Sequence, residues 1–102
     1  MSTATGGAAT VSTDGDRIGI DGTIDFDNAS SLLDQVRTVL LATPAVTIDL
    51  GGVRRSNSAG LALMIEWLAI ARECGHGVRF ERVPDGLRQI ARVCQVEALI
   101  VH

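Results

Sequence analysis

Lysine is absent from the 102 residues, and all nine cationic side chains are arginine. That excludes the P-loop, Schiff-base and amine-nucleophile chemistries, which need a lysine. Aromatic residues are nearly as scarce, at Phe26, Trp67 and Phe80, and the net charge of −3 offers no basic face. Without stacking rings or a basic stripe, no nucleic-acid partner is expected. Cysteine occurs only at Cys74 and Cys94 and histidine only at His76 and His102, with no Cys-x-x-Cys spacing. No zinc or redox motif follows, no metal or cofactor is expected, and the two cysteines read as buried thiols in a reducing compartment. The longest strongly apolar stretch, Leu61 to Ala71, is interrupted by Glu66 and is about half the ~20 residues that span a bilayer. The opening Met-Ser-Thr-Ala-Thr-Gly-Gly has neither the basic nor the apolar region of a signal peptide, so the expected location is the cytoplasm.

The chain has a mass of 10.7 kDa, with 46% apolar and 21% charged residues and a mean hydropathy of +0.26. A chain of this size buries roughly 65% of its unfolded surface, enough for one domain to fold without a metal or a disulfide. Charge is uneven along it. Residues 1–50 hold seven acids against Arg17 and Arg37, whereas residues 51–102 hold seven arginines against five acids.

Residues 1–9 are small and polar and read as a flexible lead-in, with the domain over 10–102. Asp14-Gly15-Asp16 between β-prone runs predicts a hairpin. Asp25-Phe26-Asp27-Asn28 supplies cap chemistry for a first helix from about Asn28 to Leu41, patterned by Leu32, Leu33, Val36, Val39 and Leu40. Ala45 to Leu50 reads as a central strand broken by Gly51-Gly52. A second helix follows over Ser58 to Cys74, with Leu61, Met64, Ile65 and Leu68 in one stripe. Val78 to Val83 reads as a strand, Pro84 opens a third helix through Leu87, Ile90, Ala91 and Cys94, and the stretch from Gln95 to Val101 reads as a final strand. The fold class is therefore α/β: one domain with a mixed sheet of about four to five strands and three helices, packed on one face or both.

The junction Asp49-Leu50-Gly51-Gly52-Val53-Arg54-Arg55-Ser56-Asn57-Ser58-Ala59-Gly60-Leu61 carries the most information. A strand ends and a helix begins there, so unpaired backbone N–H groups and the positive end of a helix dipole face the loop. Ser56, Asn57 or Ser58 can cap the helix; alternatively Ser58 accepts a phosphate, or the loop docks a partner. Arg54 and Arg55 are either solvated loop arginines or forks that meet an acidic patch or steady a phosphate on Ser58. Leu63, Trp67 and Ile70 form a second stripe on the same helix, offset from the first. That stripe is either core or, through Leu63 and Trp67, a partner-facing strip.

The same junction resembles the STAS domain family, named for sulphate transporters and anti-sigma factor antagonists. Its marker is a strand ending in Asp-Leu, a short loop, then Asp-Ser/Thr-x-Gly-Leu opening a helix. Here Asp49-Leu50 is followed by Asn57-Ser58-Ala59-Gly60-Leu61. The resemblance covers about residues 10–101. It implies a non-catalytic protein-binding domain, with Ser58 as the switch or phosphoacceptor position and Arg54, Arg55, Ser56, Asn57, Ala59, Gly60, Leu63 and Trp67 as the partner-binding set. The stretch Gly60-Leu61-Ala62-Leu63 feeding an apolar helix is most similar to the MlaB-type subunit of Mla lipid-transport ABC complexes. This implies an ABC-transporter ATPase as partner, with membrane association only through that complex. The alternative is an anti-sigma factor antagonist whose partner kinase phosphorylates Ser58. One departure stands out: Asn57 replaces the family's usual Asp and removes a negative charge beside Ser58.

An enzyme needs a nucleophile with a base, a metal set or paired carboxylates in a cleft. Ser58 has no histidine close in the chain, since His76 follows the far end of the same helix, ~24 Å from its start. Asp25 and Asp27 read as cap residues, and no glycine-rich phosphate loop is present. No catalytic residue is expected.

Overall fold

A computed structural model describes residues 9–100. In chain order its elements are β1 (Ala9–Asp14), β2 (Arg17–Ile24), α1 (Ala29–Ala42), β3 (Ala45–Ser56), α2 (Ser58–Glu73), β4 (Gly77–Glu81), α3 (Asp85–Val93) and α4 (Glu97–Ile100). The four strands form one sheet in the order β1-β2-β3-β4. The β1–β2 pair is antiparallel, and β2–β3 and β3–β4 are parallel. The expected lead-in lies outside the described residues except for Ala9, which already pairs with Gly22.

The sheet is buried on one side only. Along β2, Ile18, Ile20 and Ile24 point into the core while Arg17 and Asp21 are exposed; along β3, Val46, Ile48, Leu50 and Val53 point inward. The helices cover that apolar face, and the thin dimension of 19 Å fits one sheet under one layer of helices. The expected hairpin closes at Gly15-Asp16, with Asp14 paired to Arg17 and Gly15 at φ +64°. A positive φ at the first central position is where a type II′ turn takes glycine.

Three expectations are corrected. Gly51-Gly52 does not break β3, which stays paired to β2 as far as Ile24–Ser56. The register shifts between Gly19 and Asp21 because β3 carries an extra residue there, a bulge. Glycine is needed at this point: a Cβ on Gly52 would collide with the Asp21 carboxylate, and one on Gly51 would lie 2.5 Å from the Arg82 guanidinium carbon. Second, the expected final strand is the single turn α4. Gln95, at φ +61°, reverses the chain after α3, and Val96 N–H bonds the Ala91 carbonyl at 2.8 Å, a Schellman-type closure. Val96 and Ile100, four residues apart, then turn toward the helix layer, and Ile100 is fully buried. Third, Cys74 and Cys94 are exposed free thiols, because each sits at a helix C-cap rather than on an apolar face.

The open face of the sheet is tied together by Asp49. Its carboxylate accepts Arg82 Nε at 2.9 Å, a second Arg82 nitrogen, the Gly51 N–H at 2.8 Å and, at 3.4 Å, Arg17. Arg17 also bonds Glu81, so one cluster joins β2, β3 and the end of β4. The Arg82 hydrogen bond leads in holding the Asp49 carboxyl down at about 2, below its ordinary 3.8, helped by the Gly51 N–H and Arg17. A folded-state pKa below the unfolded one adds stability above the unfolded value and loses it as pH falls toward the folded one. Because both arginines are largely solvated, this is worth about 1 kcal/mol. Asp49→Asn is therefore expected to lower the stability measured by denaturant melts at pH 7. The gap to the parent should close as pH drops from about 4 to about 2; a constant gap would refute the assignment.

Candidate functional site

The parallel pairing of β2 with β3 sets the site, because both strands finish at the same end of the sheet. Ser56 pairs with Ile24, and the Asn57 N–H donates to the Ile24 carbonyl at 3.3 Å. A single residue, Asn57, then separates β3 from α2. Its extended backbone and Oδ1, which accepts the Ala59 N–H at 2.8 Å, make it the N-cap. Of the three polar residues able to cap the helix, Asn57 does so. Ser56 Oγ instead donates to the Asn57 carbonyl at 2.9 Å, and Ser58 is exposed at the first position of α2.

Ala59 and Gly60 are buried directly after it. Gly60 is where α2 meets α3: an added Cβ would run into Ser56 Oγ and approach Leu87 Cδ2 to 2.9 Å. The start of the helix is thus locked against its neighbours, and the Ser58 hydroxyl is held outward on a rigid base.

Apart from Ser58, Ala59 and Gly60, the expected binding residues separate into three groups. Arg55, Ser56 and Asn57 line one depression of about 270 Å³ together with Thr23, Ile24 and Asp25. Arg54 turns away, lining a different hollow of about 420 Å³ with Thr10, Asp21 and Gly52. Leu63 and Trp67 are core, exposed by only 4% and 0%, which corrects the expectation of a partner-facing strip. The reason is tertiary: α2 lies between α1 and α3 and over the sheet, so its wide apolar circumference is covered on several sides. Trp67 Nε1 is buried without a hydrogen-bond partner among the described residues.

Phe26 was missed as a surface feature, because Asp25-Phe26-Asp27-Asn28 reads as capping chemistry. The turn is tightly bonded: Asp25 Oδ1 accepts the Asp27 and Asn28 N–H groups at 2.9 and 3.0 Å, and Asn28 Nδ2 donates to the Thr23 carbonyl at 2.7 Å. Phe26 lies within this turn, 70% exposed, and lines a hollow that it shares with Ala59. An apolar residue flanked by two aspartates in a turn was the available signal.

No acid lies in the first turn of α2. His76 lies past the far end of that helix, where its Nδ1 is hydrogen-bonded to the Leu40 carbonyl at 2.9 Å. Among the described residues no three His, Cys, Asp or Glu side chains gather as a metal site, and no helix is long and apolar enough to cross a membrane. The arrangement is suited to presenting a hydroxyl and a rigid surface to a partner.

A family model described as "Mlab, STAS domain" matches residues 9–101. No curated protein sequence matches the chain at a significant level. Among solved structures, the unphosphorylated form of the anti-sigma factor antagonist SpoIIAA is similar with a TM-score of 0.72 and 10% identity, covering 92% of this chain and 86% of that one. The phosphorylated form of SpoIIAA, the Bacillus cell fate determinant, gives a TM-score of 0.67 at 10% identity over 92% and 89%. At these identities the likeness is one of fold.

Gly60→Ala is expected to cost about 1–3 kcal/mol in denaturant melts by overpacking, and combining it with Ser56→Ala should recover part of the loss. Trp67 emission is expected to be blue-shifted and shielded from acrylamide in the free protein, and to stay unchanged at saturating partner.

Proposed function

This chain belongs to the MlaB-type STAS domain family, and we propose that it is a non-catalytic binding subunit of a bacterial phospholipid-transport ABC complex of the Mla type. It binds and supports the cytoplasmic ATPase through the Ser58 loop, and meets the membrane only through that complex. The family match over residues 9–101 carries this reading. The geometry supports it: Arg55, Asn57 and Ser58 are exposed on a base immobilised by the Asn57 cap and the Gly60 contact. A preordered surface loses little conformational entropy on docking.

A second reading, an anti-sigma factor antagonist switched by a kinase at Ser58, is favoured by one observation. The Ser58 hydroxyl is exposed at the start of α2 and does not serve as its cap. A phosphate of about −2 charge there meets the positive end of the helix dipole, and the neutral Asn57 adds no repulsion.

Affinity purification of the full chain from its native cell separates the two. The transport reading expects an ABC ATPase and its permease at stoichiometric levels, no phosphate on Ser58, and a complex weakened at least tenfold by Ser58→Asp. Co-elution of a histidine-kinase-like anti-sigma protein, with phosphoserine that disappears when the kinase is deleted, would establish the switch instead.

A further inference from the structure

The sheet order leaves two strands with an open edge, β1 and β4. Such an edge offers backbone N–H and C=O groups to another strand unless charge, proline, a bulge or shortness discourages it. β4 is discouraged: it has five residues, Arg79 and Glu81 put charge along it, and the chain turns off it at Arg82, at φ +52°. β1 has none of these devices. Ala9-Thr10-Val11-Ser12-Thr13 carries neither charge nor proline, its register against β2 runs without a bulge, and its one acid, Asp14, stands at the hairpin end. On the inner face Ala9 and Val11 pack against the core yet stay only partly buried, so the apolar face reaches the edge without being closed there.

We propose that the β1 edge seats a second copy of this chain, whose own β1 adds antiparallel across a two-fold axis at Val11 and joins the two sheets into one. Both sides of the contact then carry the residues just described. Opposed residues share a face, and side chains alternate along a strand, so a two-fold that keeps both apolar faces on one side centres on a residue rather than between two. Centred on Val11, it sets Val11 against Val11 and Ala9 against Thr13 on the inner face, and Thr10 against Ser12 on the outer. No charge meets a charge, and β-branched and Thr–Ser pairs of this kind stabilise a ladder. Centred on Ser12, it sets Val11 against Thr13 and parts the two valines. The same operation on β4 sets Arg79 against Arg79, a like-charge clash. The contact is small, so the association is weak and depends on concentration. Strand direction reverses across the axis, which puts the Ser58 loops of the two copies at opposite ends of the joined sheet. The pairing requires neither the ATPase nor the kinase.

The test is sedimentation equilibrium of the full chain alone, up to about 1 mM, for parent, Val11→Lys, Val11→Glu, Ser12→Lys and Arg79→Ala, with melting curves checking that each is folded. The parent's average mass is expected to rise with concentration from 10.7 kDa toward twice that, and Arg79→Ala should follow it. Val11→Lys and Val11→Glu should each stay at one chain, because like charges meet on the axis, and their equimolar mixture should associate at least as well as the parent. Ser12 is exposed, so Ser12→Lys keeps the fold and carries the test if a Val11 variant does not; it brings two lysines to diagonal positions and should weaken association about threefold. A parent that remains one chain up to about 1 mM overturns the proposal. So does a parent dimer that the Val11 and Ser12 variants leave intact, or one that Arg79→Ala abolishes, since the contact then lies elsewhere. A mixture no more associated than its two components removes the axis at Val11.

Discussion

Two parallel strands buried on one face govern this molecule. The β2–β3 pair sits at the centre of the sheet, with Ile18, Ile20 and Ile24 of one strand and Ile48, Leu50 and Val53 of the other facing the same way. Parallel neighbours need a crossover, so α1 must cross the sheet, and the apolar face determines which side it takes. Parallel strands also finish at the same end of the sheet. The Phe26 turn after β2 and the Ser58 loop after β3 therefore become neighbours although they are far apart in sequence. The candidate binding surface is a consequence of strand direction before it is a consequence of any individual side chain.

The two faces of the sheet contribute at different scales. Each fully buried isoleucine or leucine on the inner face is worth about 1.5–3 kcal/mol, and many of them act together. The Asp49 cluster on the outer face is worth about 1 kcal/mol because its arginines remain solvated. The inner face thus drives folding. The outer cluster adds registration, joining β2 and β3 to the end of β4 through one carboxylate. Gly51 and Gly52 belong to that outer face, since each leaves out a side chain where an arginine or aspartate must lie flat against the backbone.

Much of the fold was legible in one dimension. Asp14-Gly15-Asp16 marks a hairpin because few residues accept the positive φ of a tight turn, and α1 and α2 follow from apolar spacing at a helical period. The residues of the strand–helix junction were also legible, since Ser, Asn and Gly at a helix start restrict what the backbone can do there. Which of three polar residues takes the cap was not, because their cap preferences differ by only a few tenths of a kcal/mol. At residues 96–100 the pattern fits both strand alternation and an i, i+4 pair, and only the reversal at Gln95 decides between them.

The sequence by itself determined the class of the fold, the order of nearly all its elements, and the position of the strand–helix junction that presents Ser58. Those depend on local hydrogen bonding and on periodicity, which neighbouring residues settle among themselves. Only the tertiary structure decided that Trp67 and Leu63 are core, that Phe26 and both cysteines are surface, and that Arg54 and Arg55 part company. Burial is a property of what packs alongside. For α2 the neighbours are α1 and α3, for Phe26 they are the residues that line a hollow with it, Ala59 among them, and no local pattern in the chain records them.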